Sequence, residues 1–172
     1  MANPTNNGYQ QVFAESVSAV TATNTVSPGS VRHENGADWI YVYNGSSDEQ
    51  IDVGRGVKLA SGSSAYTVDV ALGAPSTVSA AALAGVCQNA TIPTGQYGWI
   101  MTRGFASALQ NKLSAVATGD RIFATTSGVF RPLTASTGLY DFLVPCGWAT
   151  SDASAATTAT ATFSAYIKAQ VF

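Results

Sequence analysis

His33 is the only histidine in the chain, and it sits in Val31-Arg32-His33-Glu34-Asn35-Gly36, just ahead of a turn. One imidazole cannot make a metal centre of two or three histidines within a single chain. A Ser-His-Asp triad would need His33 as its base, yet no Gly-x-Ser-x-Gly elbow marks a nucleophile. Asp38, Asp48, Glu49 and Asp52 could in principle supply the acid and base of glycoside cleavage. They read more simply as a solvated acidic turn. No Walker loop, dinucleotide fingerprint or EF-hand loop is present. Gly119-Asp120 fits a turn in which the Asp carboxylate accepts from the backbone. The expectation is a protein without catalytic, cofactor-binding or metal-ligating residues, and not an enzyme. Cys87 and Cys146 pair only if folding brings them together; in a reducing compartment two isolated cysteines read as small buried apolar residues.

The elements that would carry any site are built from an unusual composition. Charged residues make up 10% of the 172, with 46% hydrophobic and a net charge of −2. Average soluble proteins carry roughly 25% charge. So little charge gives a lone monomer weak protection against self-association, which points to a surface covered by copies of itself or by a partner. The eight Lys and Arg residues are scattered, without the basic stripe that phosphate neutralisation needs, so no nucleic-acid partner is expected. Residues 1–8 lack the basic and apolar regions of a signal peptide. No apolar run approaches the ~20 residues of a membrane span. A chain made in a cytoplasm, with no membrane partner, is expected.

Residues 1–36 are polar and broken by Ser27-Pro28-Gly29 and Asn35-Gly36. Their apolar residues follow neither the helix nor the strand period, and they read as an extended N-terminal arm. From residue 37 the pattern is β. Trp39, Tyr41 and Tyr43 alternate with Ile40 and Val42 before Asn44-Gly45 ends the run. Strands are also expected from Tyr66 to Leu72, Tyr97 to Arg103, Arg121 to Thr125, Gly128 to Leu133 and Leu139 to Val144. In the last strand Phe163, Ala165 and Ile167 share one face with further alanines, while Ser164, Tyr166 and Lys168 share the other. The small residues there imply close approach by another sheet. Phe105, Leu109, Leu113 and Val116 have helical spacing, making residues 105–117 the one candidate helix. The predicted fold is all-β, a compact β-sandwich or barrel-like domain over 37–172, with residues 1–36 as the arm.

A faint repeat runs through the chain. Gly54-Arg55-Gly56-Val57 precedes Gly85-Val86-Cys87, and Gly119-Asp120-Arg121-Ile122 precedes Gly147-Trp148-Ala149. The offset is 65 from Gly54 to Gly119 and 62 from Gly85 to Gly147.

The run Ala84-Gly85-Val86-Cys87, Gly95-Gln96-Tyr97-Gly98-Trp99-Ile100-Met101-Thr102-Arg103-Gly104, Ala117-Thr118-Gly119-Asp120 and Cys146-Gly147-Trp148-Ala149 resembles the small capsid decoration (cement, or head-stabilisation) proteins of tailed bacteriophages. The resemblance covers roughly residues 36–172. It implies a β-rich homotrimer on the outer surface of the virion, bridging neighbouring copies of the major capsid protein and stabilising the head. It also implies a terminal arm reaching a neighbour, with Tyr9, Val12 and Phe13 in that arm, and no catalytic residues. Tyr97 and Trp99 combine area with a polar tip, as interface anchors do. The alternative is a host-surface or carbohydrate-binding β module, for which Trp39, Tyr41 and Tyr43 would form an exposed stacking platform on one strand face.

Overall fold

The computed structural model describes residues 15–46, 49–60, 66–69, 83–110, 114–125, 128–132, 145–155 and 161–169. Among these residues ten strands form: β1 (Val31–Glu34), β2 (Ala37–Asn44), β3 (Gly56–Leu59), β4 (Thr67–Asp69), β5 (Gly85–Val86), β6 (Tyr97–Leu109), β7 (Arg121–Ala124), β8 (Phe130–Pro132), β9 (Gly147–Ala149) and β10 (Thr162–Lys168). The chain is all-β, with no helix among the described residues.

Two closed rings of five strands account for most of these pairings. In the first, β2 pairs with β4 in parallel, then β4 with β3, β3 with β5, β5 with β6 and β6 back with β2, all antiparallel. In the second, β6 meets β8 through the single parallel bridge Gln110↔Phe130. There β8 pairs with β7, β7 with β9, β9 with β10 and β10 with β6, again antiparallel. The order and sense of pairing are the same in both. β6 belongs to both, its first half closing one barrel and its second half opening the next.

The interiors correspond position by position. Ile40, Val42, Val57, Val68 and Ile100 fill the first barrel; Ala106, Ala108, Ile122, Phe130 and Ala165 stand at the matching register positions of the second. Where the first barrel has Ile40, Val42 and Ile100, the second has alanines, and Phe130 and Phe163 fill the volume they leave. The small face of β10 thus lines a barrel that other side chains fill. The faint repeat in the sequence is a structural duplication.

The two interiors lie on opposite faces of β6, and a β-bulge makes the switch. Trp39 pairs with Met101 but Asp38 pairs with Arg103, leaving Thr102 unopposed. One extra residue reverses which side of a strand each later side chain takes. Trp99 and Met101, on the outside of the first barrel, therefore share a single cluster with Ala106 and Ala108 inside the second.

Turns repeat as faithfully as strands. Ser27–Ser30, Asp52–Arg55, Pro93–Gln96 and Ala117–Asp120 each close with an N–H donated to the carbonyl three residues back. Gly29, Gly54, Gly95 and Gly119 hold φ of 91°, 87°, 74° and 91° in them, the positive φ that a type II turn demands of its third residue. Each of these glycines donates its N–H to a neighbouring strand, at Tyr41, Cys87, Asn44 and Ala149 respectively. The expected Asp120 contact forms, Oδ2 accepting from Ala117 N at 2.8 Å.

Two sequence readings need correction. Residues 105–109 continue β6 instead of forming a helix, with Ala106 and Ala108 inward and Phe105 and Ser107 outward. The boundary at residue 36 falls inside a hairpin, because β1 pairs with β2 through a two-residue Asn35-Gly36 turn at φ 53° and 74°, the usual chemistry of a type I′ connection. Residues 15–30 lie against the first barrel, with Val17 buried and Thr21 bridged to Tyr97. Residues 1–14, the expected strand at 139–144 and the rest of 70–82 lie outside the described residues.

Candidate functional site

The aromatics singled out in the sequence converge, but inside the protein. β2 and β6 set Tyr41 opposite Trp99 and Tyr43 opposite Tyr97. Tyr41 stacks on Tyr97 at 6.0 Å and tilts against Trp99 at 5.1 Å, and Tyr43 meets Tyr97 at 4.9 Å. The proposed anchors and the proposed platform are therefore one cluster. Residues 15–30 cover it, with the Tyr41 hydroxyl hydrogen-bonded to those of Thr21 and Thr25 at 2.9 and 3.2 Å. Trp39, Tyr41 and Trp99 are 5%, 0% and 2% exposed. The expected exposed platform of Trp39, Tyr41 and Tyr43 is not formed, and Trp99 is a core residue. Tyr43 and Tyr97 are half-buried. Tyr9, Val12 and Phe13 lie outside the described residues.

Among the described residues the exposed aromatics are a different set, two rings joined by the half-buried Tyr166. Phe105 on β6, Tyr166 on β10 and Trp148 on β9 stand opposite one another in register, forming a row across three strands. Phe105 is 72% and Trp148 48% exposed. Tyr166, between them, stacks on Trp148 at 4.6 Å with 20° between the planes and takes Phe105 edge-on at 5.2 Å. Arg103 Nε donates to the Tyr166 hydroxyl at 3.0 Å and fixes the central ring. Burying a side chain of this size is worth ~1.5–3 kcal/mol, so two exposed rings on either side of a third mark a surface that gains from being covered.

Cations border the row. Arg103 stands opposite Lys168, and Arg121 stands opposite Trp148. The ion pairs among the described residues lie elsewhere, at Arg32–Glu34, His33–Asp38 and Arg55 with Glu49 and Asp52.

Sequence reasoning passed over this row for a physical reason. A strand with Phe105 on one face and Ala106 and Ala108 on the other would ordinarily bury the phenylalanine. Here Phe130 and Phe163 occupy the interior, so β6 must turn its alanines in and its aromatic out.

The residues with chemical potential stay apart. His33, its side chain 71% exposed, is held by Asp38 at 2.6 Å. Glu49 and Asp52 share Arg55. Cys87 and Cys146 are both free and buried, and burial pushes each thiol up to about 12, helped at Cys87 by the charge of Asp52. Among the described residues no group of three or more His, Cys, Asp or Glu converges to hold a metal ion.

No protein-family model matches the chain, and no curated protein does. Among solved structures, the head fibre gp8.5 N base of bacteriophage phi29 is similar over 75% of this chain and 92% of that one, at 12% identity and a TM-score of 0.48.

Proposed function

We propose that this chain is a non-enzymatic structural protein of a bacteriophage virion. In this reading it binds the outer surface of the head, cross-bridges neighbouring major capsid subunits, and acts as a homotrimer. The motif resemblance suggests the role, and the exposed Phe105–Tyr166–Trp148 row is the observation that carries it. Aromatic rings on adjacent strands of a closed barrel offer binding area at little cost in ordering. Three copies multiply a modest affinity per contact into avidity.

Co-sedimentation of the purified protein with expanded, undecorated heads, with its mass measured by light scattering, tests the reading. Saturable binding by a trimer supports it; a protein that ignores heads overturns it.

The same row also brings forward a carbohydrate-binding module, since exposed aromatics stack on sugars. Its geometry favours a protein partner. Trp148 and Tyr166 occupy each other's faces at 4.6 Å, leaving those two inner faces closed to a sugar ring. Binding to a glycan array but not to heads would reverse this preference.

A further inference from the structure

We infer that the Phe105–Tyr166–Trp148 face receives the first barrel of a second copy of this chain, in a head-to-tail contact. The duplication identifies the counterpart of this row. In the first barrel Met101 on β6 stands opposite Trp39 on β2 and Val86 on β5, as Tyr166 on β10 stands opposite Phe105 on β6 and Trp148 on β9. Trp39, Met101 and Val86 are 5%, 4% and 0% exposed and merge into one cluster with residues of the second barrel. Within the chain, then, this face of a barrel is where the next barrel of the same kind sits.

The second barrel presents the same face uncovered, with larger rings at two of the three positions. Repeating the step that relates the first barrel to the second sets a third barrel against the row. Another copy of this chain supplies a barrel of that construction. Charge fits the same arrangement. Arg103, Lys168 and Arg121 border the row, whereas Glu49 and Asp52 on the first barrel share the one cation Arg55. The two surfaces differ, so the contact is heterologous and closes into a ring or runs on as a filament. The inference deepens the self-association in the proposed function and rests on that part of it alone.

Sedimentation velocity of the full chain over a dilution series tests it, alongside Phe105→Ser with Trp148→Ser, and separately Arg121→Glu. These side chains are exposed, and the melting midpoint of each variant checks that folding is intact. The wild type is expected to dissociate on dilution. The double variant should raise the dissociation constant ~10- to 100-fold, and Arg121→Glu should raise it more at low salt than at high salt. A wild type that is monomeric throughout, or a folded double variant that associates like the wild type, overturns the inference. Head co-sedimentation of the same samples separates the two readings: a monomer that coats heads removes only this contact, and an oligomer that ignores heads removes only the head reading.

Discussion

Asn44 and Gln110 bring their side-chain amides to the same place in the two barrels. Asn44 Nδ2 donates to the carbonyls of Glu49 and Ile92, at 3.1 and 2.9 Å. Gln110 Nε2 donates to those of Ser114 and Ser154, at 2.6 and 2.9 Å. The residues are 0% and 1% exposed. Asn44 ends β2 and Gln110 directly follows β6, and each ties the end of the first strand of its barrel to the segment that follows and to the loop beyond the fourth strand. A buried amide is costly unless it is satisfied, and both are satisfied in the same way.

Asn44→Ala and Gln110→Ala should therefore destabilise the protein by similar amounts, about 2 kcal/mol each from two lost hydrogen bonds and a small cavity. Urea midpoints measure this. A change below ~0.5 kcal/mol at either site would show that the amide is dispensable there.

Gly147 and Gly119 should behave differently when changed to alanine. A Cβ at Gly147 would lie 2.0 Å from the backbone oxygen of Tyr166, so β9 and β10 would have to separate. At Gly119 nothing lies within 4 Å, but φ is 91°. Gly147→Ala is expected to cost more than ~3 kcal/mol or to prevent folding. Gly119→Ala should cost ~1–2 kcal/mol, from backbone strain alone. Thermal melts of the two variants order them directly; a milder Gly147→Ala would mean that the β9–β10 pairing yields easily.

Much of this architecture was readable from residues whose neighbours are also local. Strict alternation placed β2 and β10, and Gly119-Asp120 declared its turn. The duplication was faint because the two barrels exchange large and small residues, Ile40 for Ala106 and Val68 for Phe130, so identity disappears while volume is kept. Period two shows that the two faces of β2 differ but not which faces water, and here both are buried. Phe105 and Leu109 imitate a helical stripe because the alanines between them look neutral until Phe130 is known to fill the barrel. The exposed row joins residues 105, 148 and 166 across three strands, and no local pattern contains it.

The cysteines should be unreactive in the native state. Cys87 Sγ donates to Ala90 O at 2.9 Å and Cys146 Sγ to Ile122 O at 3.3 Å, with burial raising both from 9.0 to about 12. At pH 8 an alkylating reagent is expected to leave the folded chain unmodified and to label both thiols after denaturation. The folded state holds thiol protons that the unfolded chain releases. The resulting stability is complete below pH 9 and is lost as pH rises from 9 towards about 12. Urea midpoints that stay constant from pH 8 to ~11 would contradict that linkage.

Deleting Thr102 tests the shared strand itself. Thr102 is the unopposed residue of the bulge, its hydroxyl donating to Asp38 O at 3.1 Å and its carbonyl accepting from Ala169 N at 2.7 Å. Without it Met101 still faces Trp39 and Arg103 still faces Asp38, so the ladder becomes regular and the side chains on both halves of β6 keep their faces. The deletion should therefore keep one cooperative transition and cost ~1–2 kcal/mol with the lost Thr102 hydrogen bonds, and Thr102→Ala, which keeps the count, ~1 kcal/mol for one hydrogen bond. An alanine inserted between Arg103 and Gly104 has the opposite effect. If Trp99 and Met101 keep their places, Ala106 and Ala108 turn outward and Phe105 turns into the second barrel, because a one-residue slip inverts every side chain beyond it. The insertion should abolish cooperative unfolding. An insertion variant that melts in one sharp transition near the wild-type midpoint would show that the spacing from Met101 to Gly104 does not set the register of the two barrels.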